Sequence, residues 1–469
     1  MKLSMNLKEI RKAYFIGIKG AGMAAVAEIL KARGIEIYGS DTKEEFFTDE
    51  ILERNRISFT EEFNAENIPE DADLIIYSTA YDESNNAEML EARSRGLNML
   101  SYPEILGILF KEKMGIAVCG THGKTTTTAI LATCMREAGV KPSAIVGSKV
   151  IEWNGSVLKG KGNFFVAEAD EYQNKLAYYN PWAVVLTSVD FDHPDFFETF
   201  DDYKSVFEDF VRKIPKHGFL IACGDYANVI EITKNASCQV LTYGFSDECE
   251  YKIEDLSSKN WSEGEEMVKT FKVFYQNKSL GVFESKLMGR HNMLNATAAI
   301  AVCHKLKLDL EKVKTAILNF EGTSRRFEYI GERDGAILID DYAHHPEEIK
   351  ATLKAAREKY YRKNIWTIFH PHTFTRTKAL LQEFAQSFDN TDKVIVIDIY
   401  GSAREVQGGI SSKDLVDLIN KYNPEKAEYI PTIPEVVEYL RNRISSRDVV
   451  ISMGAGNVWQ VTKNLCFRK

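Results

Sequence analysis

Residues 114–128 read MGIAVCGTHGKTTTT, and this stretch decides the fold. Ile116-Ala117-Val118-Cys119 is a short apolar run of the kind that fills a buried parallel strand. Gly120-Thr121-His122-Gly123 then turns the chain, and Lys124-Thr125 opens a helix predicted to run to about residue 138, with Gly139 as its C-terminal cap. A strand, a glycine turn and a helix start gather backbone N–H groups at the positive end of a helix dipole, which suits a phosphate. Lys124 adds a mobile positive charge for terminal phosphates, and the Thr125 and Thr126 hydroxyls follow at once, the first placed to ligate Mg²⁺. Val118 stands where the full phosphate-loop pattern has glycine, so only GxxGKT remains. A glycine turn after a strand is often architecture alone; the Lys-Thr pair at the helix start favours nucleotide binding.

On the N-terminal side, an apolar strand over residues 13–18 runs into Gly17-Ile18-Lys19-Gly20-Ala21-Gly22, followed by a helix over 23–32, Gly34 and a second strand over 35–38. Ser40-Asp41 lies about twenty residues on, as in a dinucleotide fingerprint. The spacing is GxxGxG and not GxGxxG, which weakens a nicotinamide or flavin reading and leaves a nucleotide diphosphate as the favoured ligand, with a tight strand–helix junction as the alternative. A further strand over 73–78 belongs to this unit, which is predicted to end at residue 113.

On the C-terminal side, predicted strands over 163–167 and 183–189 end in Glu168-Ala169-Asp170-Glu171 and Asp190-Phe191-Asp192-His193-Pro194. Ligand sites in parallel sheets lie at the carboxyl ends of strands, so these groups are expected to face the phosphate loop. Hard oxygen ligands with one imidazole suit Mg²⁺ or Mn²⁺. Residues 250–286 alternate like short antiparallel strands, and Gly289-Arg290-His291-Asn292 precedes a helix of small residues over 296–302. From residue 325 the pattern becomes regular: strands over 336–339, 365–369, 393–397 and 448–452 alternate with helices starting near 347, 377, 412 and 434. The strand ends carry Asp340-Asp341-Tyr342-Ala343-His344-His345, His370-Pro371-His372 and Gly454-Ala455-Gly456-Asn457. The predicted fold is therefore α/β in three domains: a Rossmann-like unit over 1–113, a central P-loop ATPase-like sheet with a small antiparallel appendage over 114–324, and a second Rossmann-like unit over 325–469.

Composition agrees. A chain of 469 residues is too long for one core. A net charge of −9 argues against a general nucleic-acid binder or a membrane-surface protein. Seven scattered cysteines without a CxxC pair, and no signal-peptide pattern at the start, read as reduced thiols of a cytoplasmic protein. No apolar run approaches the ~20 residues of a membrane span.

The motifs FIGIKGAGM, GTHGKTTT, AEADEY, VDFDHPD, GRHNMLNA, GTSRRFE, DDYAHHPEEI, PHTFTRT, YGSARE and GAGN follow one another from residue 15 to residue 457. In this order they resemble the Mur ligases of peptidoglycan precursor synthesis. The resemblance implies a UDP-sugar domain, an ATPase domain and an amino-acid domain, and ATP-dependent amide formation through an acyl phosphate. It is nearest to the branch that joins L-alanine to the carboxylate of UDP-N-acetylmuramate. It implies that Gly120, Thr121, His122, Gly123, Lys124, Thr125 and Thr126 cradle the ATP phosphates, with Lys124 on the β/γ-phosphates. It implies that Thr125 and Glu168 bind Mg²⁺, for which Mn²⁺ can substitute, and that His193 ligates a second Mg²⁺. His291, Asn292 and Asn295 are expected near adenine, Arg326 at the nucleotide phosphates and Asp341 at the ribose. His344, His372 and Arg376 are expected on the amino-acid side, and Gly20, Gly22 and Asp41 at the UDP moiety. Thr373 stands where some members carry arginine, and the stretch over 172–178 departs from the serine-rich form of other branches. The implied partners are small molecules, with no nucleic acid or membrane, and the chain is expected to be a monomer or homodimer. Three other readings remain open: a recycling ligase that adds an intact tripeptide to the same sugar, a nicotinamide-dependent oxidoreductase, and a nucleotide-binding scaffold for which Glu168 and His193 are dispensable.

Overall fold

The computed structural model describes residues 5–46, 48–257, 267–401 and 408–467. Residues 258–266 of the alternating stretch and residues 402–405 of the YGSARE motif lie outside the described residues.

The N-terminal sheet is parallel throughout, in the order Ser58–Thr60, Glu36–Ser40, Lys12–Ile16, Leu74–Tyr77, Met99–Ser101. The outer two strands are only three residues long, too short to show a hydrophobic period in the sequence. Gly22 explains how the helix Ala21–Ala32 packs. A Cβ at this position would stand 2.4 Å from the Tyr102 ring, which opens the helix Tyr102–Lys111. Gly20, the N-cap of the first helix, has nothing nearer than 3.6 Å to the same added atom.

Among the described residues the central sheet has ten strands, with Met114–Cys119 between Phe164–Glu168 and Ala183–Leu186. Val118 pairs with Glu168 and Cys119 with Leu186. This register lines up the three strand ends, so both acidic segments flank the phosphate loop as expected. The helix Lys124–Glu137 is buried along nearly its whole length, between the sheet and the helix Arg290–Lys305. Ala296, Ala298, Ala299 and Ala301 let the two helices approach closely, and Thr127 Oγ1 donates across to Asn295 Oδ1 at 3.1 Å. Gly139 (φ +85°) ends the first helix, its N–H on Arg136 O. The antiparallel strands Tyr251–Asp255, Lys269–Tyr275 and Lys278–Ser285 continue the central sheet, because Tyr251–Asp255 pairs in parallel with Gln239–Gly244.

The third sheet runs Glu328–Arg333, Ala336–Asp341, Asp448–Met453, Asn364–Phe369, Lys393–Val396, Ala427–Tyr429; only its first strand is antiparallel. The helix predicted near residue 377 is two short pieces, Phe374–Ala379 and Leu381–Ala385. Thr373 begins it at φ +69°, a conformation costly for a β-branched residue, while its hydroxyl caps the Arg376 N–H at 3.3 Å. All seven cysteines are free, and among the described residues no helix is long and apolar enough to cross a membrane.

The two loop glycines are expected to behave differently in thermal or urea unfolding. Gly22→Ala overpacks the Tyr102 ring and lowers stability by about 1–3 kcal/mol, whereas Gly20→Ala changes it by less than about 0.5 kcal/mol. Equal effects would show that the Tyr102 contact does not dictate glycine at residue 22.

Candidate functional site

The phosphate loop is held from the neighbouring strand. Gly120 (φ +129°) passes so close to Thr187 that a Cβ would lie 2.3 Å from its hydroxyl, and Gly123 (φ +78°) caps the helix in the left-handed region. Thr187 Oγ1 donates to His122 O at 2.6 Å, His122 N–H donates to Ser188 Oγ at 3.0 Å, and Thr121 Oγ1 lies 2.8 Å from Tyr203 OH. Lys124 Nζ folds back onto Gly120 O and Thr121 O and meets Glu171 Oε2 at 3.0 Å. Burial disfavours this ammonium, but Glu171, Asp170 and Glu168 outweigh it and hold its pKa above the usual lysine value.

Two sets of oxygen donors flank the loop. Thr125 Oγ1 donates to Glu168 Oε1 at 2.9 Å, while Glu168 Oε2 accepts from Gly147 N–H at 2.8 Å. Burial pushes the Glu168 carboxyl up, against the pull of Lys124. His193 is not beside this pair. It gathers with Asp170 and Glu171, their ligand atoms all within 4.8 Å of one another. The resemblance implied one metal at Thr125 and Glu168 and a second at His193; the geometry sets beside His193 the carboxylates of Asp170 and Glu171, which the strand-end reading had counted among the hard oxygen ligands. AEADEY carried the signal, since three carboxylates follow one strand end in four residues. Two carboxylates and an imidazole, with Glu168 and Thr125 nearby, are a donor set suited to Mg²⁺ or Mn²⁺. Burial opposes ionisation of Asp170, yet Lys175, Lys124 and His193 bring its pKa to about 2, so it is a carboxylate at neutral pH.

A cavity of about 430 Å³ opens beside the loop, between the central and third sheets. His122, Gly123, Thr126, His291, Asn292, Asn295, Arg326 and Asp341, all assigned to the nucleotide from the sequence, line it together. Asn292 and Asn295 hydrogen-bond to each other at 3.0 Å, and Asn292 Nδ2 is anchored on Met288 O at 2.8 Å. Burial lowers the His291 pKa to about 4. Asp341 accepts from Phe327 N–H and Ala343 N–H, and burial raises its pKa to about 6. Glu348 also lines this cavity, although nothing in the motif reading singles it out.

Arg376, His372 and His344 cluster on the side of the third sheet that faces His193. The Arg376 guanidinium is 5% exposed and grips Asp192 Oδ1 through Nε (3.0 Å) and Nη2 (2.8 Å). Its Nη1 lies 3.5 Å from His372 Nδ1. Burial lowers His372 to a pKa of about 3 and His344 to about 4, so both rings are neutral at pH 7. His344 Nδ1 donates to Tyr342 O at 3.0 Å, which leaves the lone pair on Nε2. Asp192 was expected among the oxygen ligands facing the phosphate loop; its pairing with Arg376, 184 residues away, is a contact no local pattern shows.

The glycine turn of the first sheet lies apart from these groups. Gly20 is exposed at the start of its helix, while Gly22 is set by Tyr102. Asp41 is 4% exposed and accepts from Lys19 N–H at 2.6 Å and Thr42 N–H at 2.8 Å, so it clamps the turn. The first and third units touch where Tyr400 OH donates to Glu44 Oε1 at 3.2 Å; the Tyr400 ring in turn stacks on His372.

Known proteins are similar to this chain over nearly its full length. Family models match residues 12–114 (Mur ligase family, catalytic domain), 118–303 (Mur ligase middle domain) and 325–456 (Mur ligase, glutamate ligase domain). The chain is 40% identical to the UDP-N-acetylmuramate–L-alanine ligase of Desulfitobacterium hafniense over 96% of this chain and 98% of that protein. It is 39% identical to the enzyme of the same name from Caldanaerobacter subterraneus subsp. tengcongensis, over 98% of each. The crystal structure of UDP-N-acetylmuramate–alanine ligase from Thermotoga maritima superposes with a TM-score of 0.82 at 27% identity, covering 97% of this chain and 98% of that one. A murein peptide ligase from Psychrobacter arcticus, at a TM-score of 0.73 and 23% identity over 97% and 98% of the two chains, shares the fold. With all three family domains in order and relatives aligned from end to end, the chain belongs to the Mur ligase family.

Proposed function

We propose that the protein joins L-alanine to the carboxylate of UDP-N-acetylmuramate at the expense of ATP, through an acyl phosphate, releasing ADP and phosphate in the cytoplasm. The observation that carries this reading is a run of contacts that joins three groups: Lys124 meets Glu171 of the Asp170–Glu171–His193 cluster, and Asp192 links His193 to Arg376 of the His344–His372–Arg376 cluster. The end-to-end relatives named for this reaction support it. In this reading residues 1–113 bind the UDP-sugar, 114–324 bind ATP and 325–469 receive the amino acid.

The chemistry is governed by charge. Attack of a carboxylate on ATP brings two anions together, and the transferring phosphoryl group spreads negative charge over its oxygens. The N–H groups of residues 121–125 and the Lys124 ammonium stabilise that charge once Lys124 leaves Glu171 for the phosphates. Thr125, Glu168, Asp170, Glu171 and His193 would hold Mg²⁺, whose charge supplies further neutralisation of the phosphates. His291, Asn292 and Asn295 position the base, Arg326 the phosphates and Asp341 the ribose. Gly20 and Asp41 shape the turn that receives the UDP diphosphate. On the other side of the acyl group, Arg376 meets the alanine carboxylate while neutral His344 offers the Nε2 lone pair to the amine, which attacks only when uncharged.

The experiment that tests the reading places ¹⁸O in the sugar carboxylate and supplies a panel of amino acids. Phosphate release is expected with alanine, and the label must appear in the phosphate. Label confined to the amide product excludes an acyl phosphate, and turnover with tripeptide alone favours the recycling reaction.

A planar guanidinium binds a carboxylate in two parallel bonds, which an ammonium cannot do. Arg376→Lys is therefore expected to raise KM for alanine roughly ten- to a hundredfold, while KM for ATP stays nearly unchanged. Steady-state kinetics with each substrate varied in turn decides this, and an unchanged alanine KM moves the carboxylate site elsewhere.

The neutral histidines also set a pH dependence. A histidine in the unfolded chain titrates near 6.5, whereas His372 in the fold titrates at about 3. Below pH 6.5 the unfolded state therefore binds a proton that the folded state refuses, and stability falls as the pH falls. Asp341, raised to about 6, acts in the opposite sense over an overlapping range. In denaturant titrations at pH 7 and pH 5, His372→Asn should lose about 1–2 kcal/mol less than the parent chain. Equal losses would mean that His372 is protonated in the folded protein.

A further inference from the structure

Glu348 is the third residue of the helix Pro346–Lys359, and its side chain is nearly buried (12% exposed) in the wall of the 430 Å³ cavity. Its two oxygens do different things. Oε2 accepts from the His344 N–H at 3.1 Å and, more weakly, from the His345 N–H at 3.4 Å, which caps the helix. Oε1 turns across the cleft: it lies 3.2 Å from His122 Nδ1 in the phosphate loop and 3.9 Å from Arg326 Nη1. The His122 ring packs on the His345 ring at 4.8 Å, and its Nε2 lies 3.5 Å from Asp190 Oδ2. Thus the backbone of His122 is fixed by Thr187 and Ser188 of the central sheet, and its side chain by the third.

A carboxylate in a cavity that receives a polyphosphate opposes ligand binding by like-charge repulsion unless that charge is paired. Helix capping needs only one oxygen and no position in this wall. The second oxygen is accounted for by the two groups it faces, one in the phosphate loop and one reaching the phosphates from the third unit. We propose that Glu348 is a positioning residue that clasps His122, so that the phosphate loop is held in its working shape by the C-terminal unit. This rests on reading the cavity as the ATP site. ATP binding to the unaltered protein tests that reading separately.

The test is a double-mutant cycle with Glu348→Gln, His122→Gln and the two combined, read in kcat/KM for ATP and in thermal midpoint. Glutamine keeps an oxygen for the helix cap and removes the charge that faces His122. Each single change is expected to lower kcat/KM for ATP by roughly tenfold, and the combined variant by no more than about the worse single change, because both break one interaction. Multiplying effects would overturn the clasp. So would a Glu348→Gln enzyme with normal kcat/KM and a lowered melting point, which describes a helix cap and nothing more. Should Glu348→Gln fail to fold, His122→Gln alone decides: unchanged kcat/KM for ATP in that variant overturns the proposal. If the unaltered protein does not bind ATP, the assignment of the cavity fails and not the contact.

Discussion

A guanidinium and a carboxylate taken out of water together join the central and third sheets. Arg376 and Asp192 are each less than a tenth exposed, and removing one member of such a pair costs about 3–5 kcal/mol because the other is left buried and unpaired. Burial alone would push both toward neutrality, yet each keeps the other charged: Arg376 holds Asp192 well below the usual carboxylate range. Asp192 Oδ1 also accepts the His193 N–H at 2.7 Å, at a residue with φ +57°. One oxygen therefore both docks the third sheet and bends the chain that presents His193 to Asp170 and Glu171. His193 and Arg376 are thus positioned by the same atom.

Around this pair the charges are segregated. Toward the phosphate loop, carboxylates surround Lys124 and keep it cationic. Toward the third sheet, burial strips His344 and His372 of charge and leaves both rings neutral. Burial supplies both results, and the difference lies in which groups remain nearby to oppose it. The first unit reaches this centre through Glu44 and Tyr400, whose ring lies parallel to His372.

What the sequence by itself determined was local. The strand–turn–helix at residues 114–137 was legible because apolar run, glycines and Lys-Thr are contiguous, and because only glycine fits where Gly120 meets Thr187. The acidic strand ends were expected to face that loop, and the register of Val118 with Glu168 and Cys119 with Leu186 puts them there. The gathering of His291, Asn292, Asn295, Arg326 and Asp341 around one cavity followed from the family motifs and not from any periodicity. Gly22 read as a phosphate glycine, but the structure gives it a second reason in Tyr102, eighty residues later in the chain.

Only the tertiary structure decided which charges pair. Asp192 and Glu348 are ordinary acidic residues in the sequence, and their importance is created by Arg376 and His122 arriving from other sheets. Likewise the family motifs put His193 at a second metal, apart from Thr125 and Glu168, but the turn at Asp192 that brings it to Asp170 and Glu171 is visible only in the fold. A side chain's chemistry is written in its residue type, but its pKa, its partner and its cost of burial depend on what the fold brings within about 4 Å, and that distance has no counterpart along the chain.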